Sequence, residues 1–141
     1  MEDWNKKLTT AAGKGDIEAL ILSLQNGADI DYQLVDGDTA LMWAVKWGRL
    51  EVCRLLIDTG CKIDITGEDG ETALMLAARR GHLEICSLLI DRGCKIDITN
   101  KNGETALHHA AEWGYLQITR CLVEQGGASP LVKSYKMQTK T

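Results

Sequence analysis

Three histidines, five cysteines and a spaced row of aspartates are the residues of this 141-residue chain best suited to chemistry. His108 and His109 stand side by side, an arrangement that can supply metal ligands or a general base. Asp31, Asp64 and Asp97 recur at a fixed interval, each preceded by an isoleucine. Cys53 and Cys86 share one register, Cys61 and Cys94 a second, and Cys121 stands apart, with no Cys-x-x-Cys pair. An odd number of cysteines placed by register reads as small core hydrophobes rather than disulfides or metal ligands. Free buried thiols suit a reducing compartment, so the expected location is intracellular, in the cytoplasm or the nucleus. No phosphate loop, nucleophile elbow or metal-ligand spacing is present. The expectation is therefore a protein that is not an enzyme and takes no cofactor or metal.

The elements that hold these residues repeat every 33 positions. Gly37, Gly70 and Gly103 fall in step, as do Thr39, Thr72 and Thr105, and Leu41, Leu74 and Leu107. Residues 36–68 and 69–101 are identical at 22 of 33 positions. Such a period marks a solenoid, in which each unit buries its apolar face only against its neighbours. Within a unit, Thr72 can cap a helix of good helix formers that ends at Gly81. A second helix over Leu83–Asp91 carries one polar stripe, Glu84, Ser87 and Asp91, on an otherwise apolar surface. The equivalent helices in the preceding unit are expected over Thr39–Trp47 and Leu50–Thr59. Asp69-Gly70 and Asn102-Gly103 are tight-turn signals between units.

The segment from Asp69 to Gly93, with Asp-Gly-Glu-Thr-Ala-Leu, then Gly81-His82, then a Leu-Leu helix ending in Gly, resembles the ankyrin repeat. Ala40, Ala73 and Ala106 stand where that family places proline, and only His108 keeps its histidine. The resemblance spans residues 3–130 and implies an all-α ankyrin-repeat solenoid of antiparallel helix pairs with projecting β-turn fingers. It also implies a structural ring at His108, hydrogen-bonded within or between fingers, and an unremarkable turn position for His82. One domain over residues 1–141 is expected: a capping repeat at 1–35, repeats at 36–68, 69–101 and 102–130, and a tail or degenerate repeat at 131–141. Asn5, Lys6, Lys7 and Lys14 give the first unit the wetted face that a terminal repeat needs.

Function is expected where the units differ. Eleven positions vary between residues 36–68 and 69–101, and five of them crowd into Trp43–Arg49 against Leu76–His82. In the ankyrin family this stretch and the finger tips line a concave groove that grips partners. The resemblance thus puts Lys46, Trp47, Arg79, Arg80, Glu112 and Trp113 in the groove and Asp38, Glu71 and Glu104 at the tips. With helices ~8–10 Å apart, Trp47, Arg80 and Trp113 form a row spanning roughly 20 Å, of the types enriched at hot spots. Two readings of the tryptophans stand: solvent-facing anchors, or rings folded over helix ends to cover core. Trp43, one turn earlier, is expected in the core.

The leading function is a non-catalytic protein–protein interaction module, monomeric, whose partner protein or peptide carries basic and aromatic or apolar residues. The alternative is a structural or regulatory segment of a larger protein making intramolecular contacts. Single-stranded nucleic acid stacked on Trp47 and Trp113 is a third reading. The net charge is −4, and three lysines after Gln125 leave −7 on the remainder, which disfavours nucleic acid. No apolar stretch is long enough to span a membrane.

Overall fold

Three threonines in register start three helices in the same way. The hydroxyl oxygens of Thr39, Thr72 and Thr105 accept from the backbone N–H of Met42, Met75 and His108 at 3.3, 3.2 and 3.4 Å. Each satisfies one of the donors that a helix start leaves without a partner. The computed structural model describes residues 2–128; the expected tail at 131–141 lies outside them. Its helices are α1 (Trp4–Lys14), α2 (Ile17–Gln25), α3 (Ala40–Lys46), α4 (Leu50–Thr59), α5 (Ala73–Arg80), α6 (Leu83–Asp91), α7 (Ala106–Glu112) and α8 (Leu116–Glu124). Asp3 and Asp16 cap α1 and α2 with their carboxylates. No strand occurs among the described residues. None of these helices is long and apolar enough to cross a membrane. The fold is the all-α solenoid that the repeat implies.

Consecutive helices form pairs across two- or three-residue turns. At Gly81 the backbone takes the left-handed conformation, φ 78°, which glycine adopts without a Cβ penalty. His82 N–H then donates to Ala77 O at 3.0 Å. The first helices stack α1 on α3, α3 on α5 and α5 on α7, and the second helices stack α4 on α6 and α6 on α8. Ala44, Ala77 and Ala110 are fully buried between the first helices, where small side chains let the backbones approach. Leu56, Leu89 and Leu122 are fully buried in the second row.

Arg49, His82 and Tyr115 share one register and serve as lids. A Cβ built on Gly15, Gly48 or Gly81 would stand 3.0, 3.1 and 3.0 Å from their respective side chains. His82 therefore covers the turn of the preceding pair, a packing role consistent with its bland sequence position. Arg49 also donates through Nε to Gly13 O at 3.0 Å.

The loops between pairs are tied to one another by the aspartate row. Asp31 Oδ1 accepts from Lys62 N–H at 2.8 Å, and Asp64 Oδ1 accepts from Lys95 N–H at 3.0 Å. Each carboxylate thus reaches forward to the next loop. The fingers also meet backbone to backbone: Lys101 N–H donates to Asp69 O at 3.0 Å. A Cβ on Gly70 would lie 3.3 Å from Asn100 Cα, so glycine is needed for this approach.

The cysteines pack as the register reading expects. Cys53, Cys61, Cys86 and Cys94 are buried, Cys121 is half-buried, and all five are free thiols. Burial is the main cause that pushes the first four thiols up to about 12.

Candidate functional site

The C-terminal ends of α3, α5 and α7 and the fingers beside them enclose an open groove of about 440 Å³. Lys46, Arg79, Arg80 and Trp113 line it from the helices, and Glu68 and Asp69 from a finger. An adjoining hollow of about 200 Å³ extends it past His109 and Glu112.

Trp47 and Trp113 are 60% and 58% exposed. Of the two readings of these rings, the solvent-facing one holds for most of each surface. Trp47 still rests one edge on α1. A Cβ on Gly13 would meet Trp43 Cε3 at 2.9 Å and Trp47 Cδ1 at 3.2 Å. Trp43 is half-buried rather than wholly in the core. Arg80 is exposed at the end of α5 and donates through Nη1 to Lys46 O at 3.4 Å.

Asp38, Glu71 and Glu104 are not exposed tips. They are buried, at 2%, 5% and 5% exposure, and they sit at the finger bases. The exposed finger acids are Asp36, Glu68 and Asp69. Asp38 pairs with Lys46, and Glu71 pairs with Arg79 at 3.5 Å. A carboxylate in the Asp-Gly-Glu-Thr turn looks wet along the chain, but its partners lie across a helix and on the next pair. The legible signal was the opposite charge eight residues on, Asp38 to Lys46 and Glu71 to Arg79. The same offset from Glu104 reaches Glu112, so the fourth pair carries an acid where the second and third carry a cation.

Glu71 also joins two helix pairs. His109 Nε2 lies 3.0 Å from Glu71 Oε2, and because an ionised carboxylate only accepts, the ring donates there. Asn100 Nδ2 donates to the same oxygen at 2.7 Å and to Glu104 Oε1 at 3.2 Å. Burial alone raises the Glu71 carboxyl. The hydrogen bonds from His109 and Asn100, helped by the charges of His109 and Arg79, outweigh it and hold the group below its ordinary 4.5.

His108 is a structural ring, in line with what the resemblance implies. Thr105 N–H donates to His108 Nδ1 at 2.8 Å, while Thr105 Oγ1 accepts from His108 N–H. This reciprocal capping box requires a bare Nδ1. Burial first, and His109 less, push the ring below its usual 6.5 against the opposing pull of Glu104. His109 is buried as well, with Nε2 against Glu71, so the adjacent pair is not an exposed base. The ligand-capable atoms of Glu104, His109 and Glu112 come within 4.8 Å of one another, a cluster that linear spacing did not reveal.

Two family models match the sequence. One, described as ankyrin repeats (3 copies), covers residues 60–134; the other, ankyrin repeats (many copies), covers residues 8–57. No curated protein matches it. Repeat register, stacked helix pairs and both matches agree, and the chain belongs to the ankyrin repeat family.

Proposed function

We propose that this protein is a non-catalytic, monomeric, intracellular interaction module that grips a partner protein or peptide through its groove. Ankyrin repeats generally serve protein–protein interaction and are typically non-catalytic. The observation that carries the reading is the pair of largely exposed indoles, Trp47 and Trp113, at positions where units with the same core differ. Exposed large aromatics are costly on a surface with no partner, and tryptophan and arginine concentrate binding energy. Lys46, Arg79, Arg80 and Glu112 line the same groove and its adjoining hollow. Asp38 and Glu71 support the reading differently, as anchors that fix Lys46 and Arg79. Glu104 belongs to the same underlying network. The partner carries apolar or aromatic side chains for the indoles and basic ones for Asp36, Glu68 and Asp69. Free buried thiols support a reducing intracellular setting.

The test is replacement of Trp47 and Trp113 together by alanine. Capture of partners from cell extract should weaken at least ~10-fold, about 1.4 kcal/mol, with little change in melting temperature. Arg54→Ala with Glu84→Ala, on the exposed stripe of the second helices, should leave capture intact. Normal binding by the tryptophan variant removes the groove as the site. Capture dominated by nucleic acid and lost steeply with salt would favour the stacking reading instead.

A further inference from the structure

The groove has a polarity that the buried acids create. Of its cations, Lys46 is held by Asp38 and Arg79 by Glu71. Arg80 enters no ion pair among the described residues; its guanidinium donates to a backbone carbonyl, Lys46 O, at 3.4 Å. In register Arg80 falls between Trp47, at the end of α3, and Trp113, at the end of α7, one helix to either side. The row therefore presents an apolar face, a positive charge and an apolar face, in that order. The exposed acids Glu68 and Asp69 line the same groove from a finger rather than from the helix ends that carry the row.

Spacing then selects the conformation of the occupant. Packed helices place successive members of the row ~8–10 Å apart. An extended strand turns alternate side chains to opposite faces and rises ~3.3 Å per residue, so its same-face steps fall near 7 or 13 Å and miss the row. A polyproline II segment returns to the same face every third residue and rises 3.1 Å per residue, about 9 Å per turn. That matches. Aromatic rings along a groove are also the surface on which such segments dock.

We infer that the groove recognises a polyproline II segment with an acidic side chain on Arg80 and apolar side chains three residues to either side, on Trp47 and Trp113. This rests on the groove being the binding site and adds the partner's pattern: apolar-x-x-acid-x-x-apolar, with proline favoured between. The acid forms a charge-assisted, bidentate pair with the guanidinium.

The experiment selects a phage-displayed library of random twelve-residue peptides on three forms of the protein: wild type, Arg80→Glu, and the Trp47→Ala/Trp113→Ala double variant. Far-UV circular dichroism checks each fold, and Arg80→Gln substitutes if the glutamate variant is not helical. Wild type should enrich the apolar-x-x-acid-x-x-apolar pattern. Arg80→Glu should replace the central acid by lysine or arginine at the same position, or Arg80→Gln should lose the preference for it. Affinity of a selected acidic peptide should fall at least ~10-fold in either variant. A consensus without the central acid, a two-residue spacing, an acid preference indifferent to residue 80, or no enrichment at all overturns the inference. Selected peptides that bind the tryptophan double variant undiminished would instead overturn the groove itself, which keeps the two failures apart.

Discussion

Glu71 carries more of the inter-repeat bonding than its place in a turn suggests. It is buried, it accepts from His109 and Asn100, and it faces Arg79. Its carboxyl titrates below 4.5 in the fold and near that value when unfolded. The unfolded chain therefore binds the proton more readily, and stability falls as pH drops below about 4.5. Glu71→Gln should cost on the order of 1–3 kcal/mol at pH 7, the range for a disturbed buried hydrogen-bonding group. The gap in melting temperature from wild type should narrow as pH goes from 5 to 3; an unchanged gap would mean that the charge of Glu71 does not stabilise the fold. His108 adds a separate window. Its ring is kept neutral, so its contribution is complete above about 6.5 and declines below it, and Glu71→Gln should leave that limb untouched. From sequence alone, Trp47 and Trp113 could be read as surface anchors or as covers over core, and Asp38, Glu71 and Glu104 could not be put inside. Their neighbours are set by stacking rather than by adjacency. Variation between units was likewise an imperfect guide: Arg49 and His82 differ in type yet both act as lids.

The second helices were legible almost to the residue, Leu50–Thr59 and Leu83–Asp91, because a single polar stripe and a terminal glycine or aspartate delimit each. The first helix α3 is a residue shorter at each end than the expected Thr39–Trp47, whereas α5 loses only its first residue. Thr39 and Trp47 are caps with non-helical or fraying geometry, a distinction of one residue that pattern cannot draw. Fingers were legible as turns but not as the contacts they make, since those depend on the close approach of Gly70 to Asn100. Leu89 tests the element that most depends on its neighbours. It is fully buried in α6, which packs on α4 and α8. Leu89→Ala should cost about 2–5 kcal/mol, and urea unfolding should show it. A melting temperature within a degree or two of wild type would refute that packing.

At the scale of the whole molecule, the buried thiols report how readily the stack opens. With pKa values near 12, only about one in ten thousand of the Cys53, Cys61, Cys86 and Cys94 thiols is ionised at pH 8, and the thiolate is the reactive form. Cys121 is half-buried, donates to Gln125 Oε1 at 3.1 Å, and is raised mainly by burial as well. In the native protein a thiol reagent should modify Cys121 first and the other four only as pairs separate. All five should titrate at once in guanidinium. Rapid reaction of four or five thiols in the native state would show a stack that frays along its length.

The carboxylates of Asp31 and Asp64 each bond a loop 31 residues further on, and the bonds from Arg80, Asn100 and His109 to the preceding pair span 34, 29 and 38. Contacts of this kind never need to know how long the chain is. The aspartate rung repeats with the unit, so a stretch of 33 residues inserted in register would bring its own carboxylate and N–H. Arg80, Asn100 and His109 instead stand where the preceding unit has Trp47, Gly67 and Leu76, and tie one junction only. Segments 36–68 and 69–101, identical at 22 of 33 positions, share the aspartate rung and the core beneath it. The groove would lengthen by one anchoring position with each unit gained.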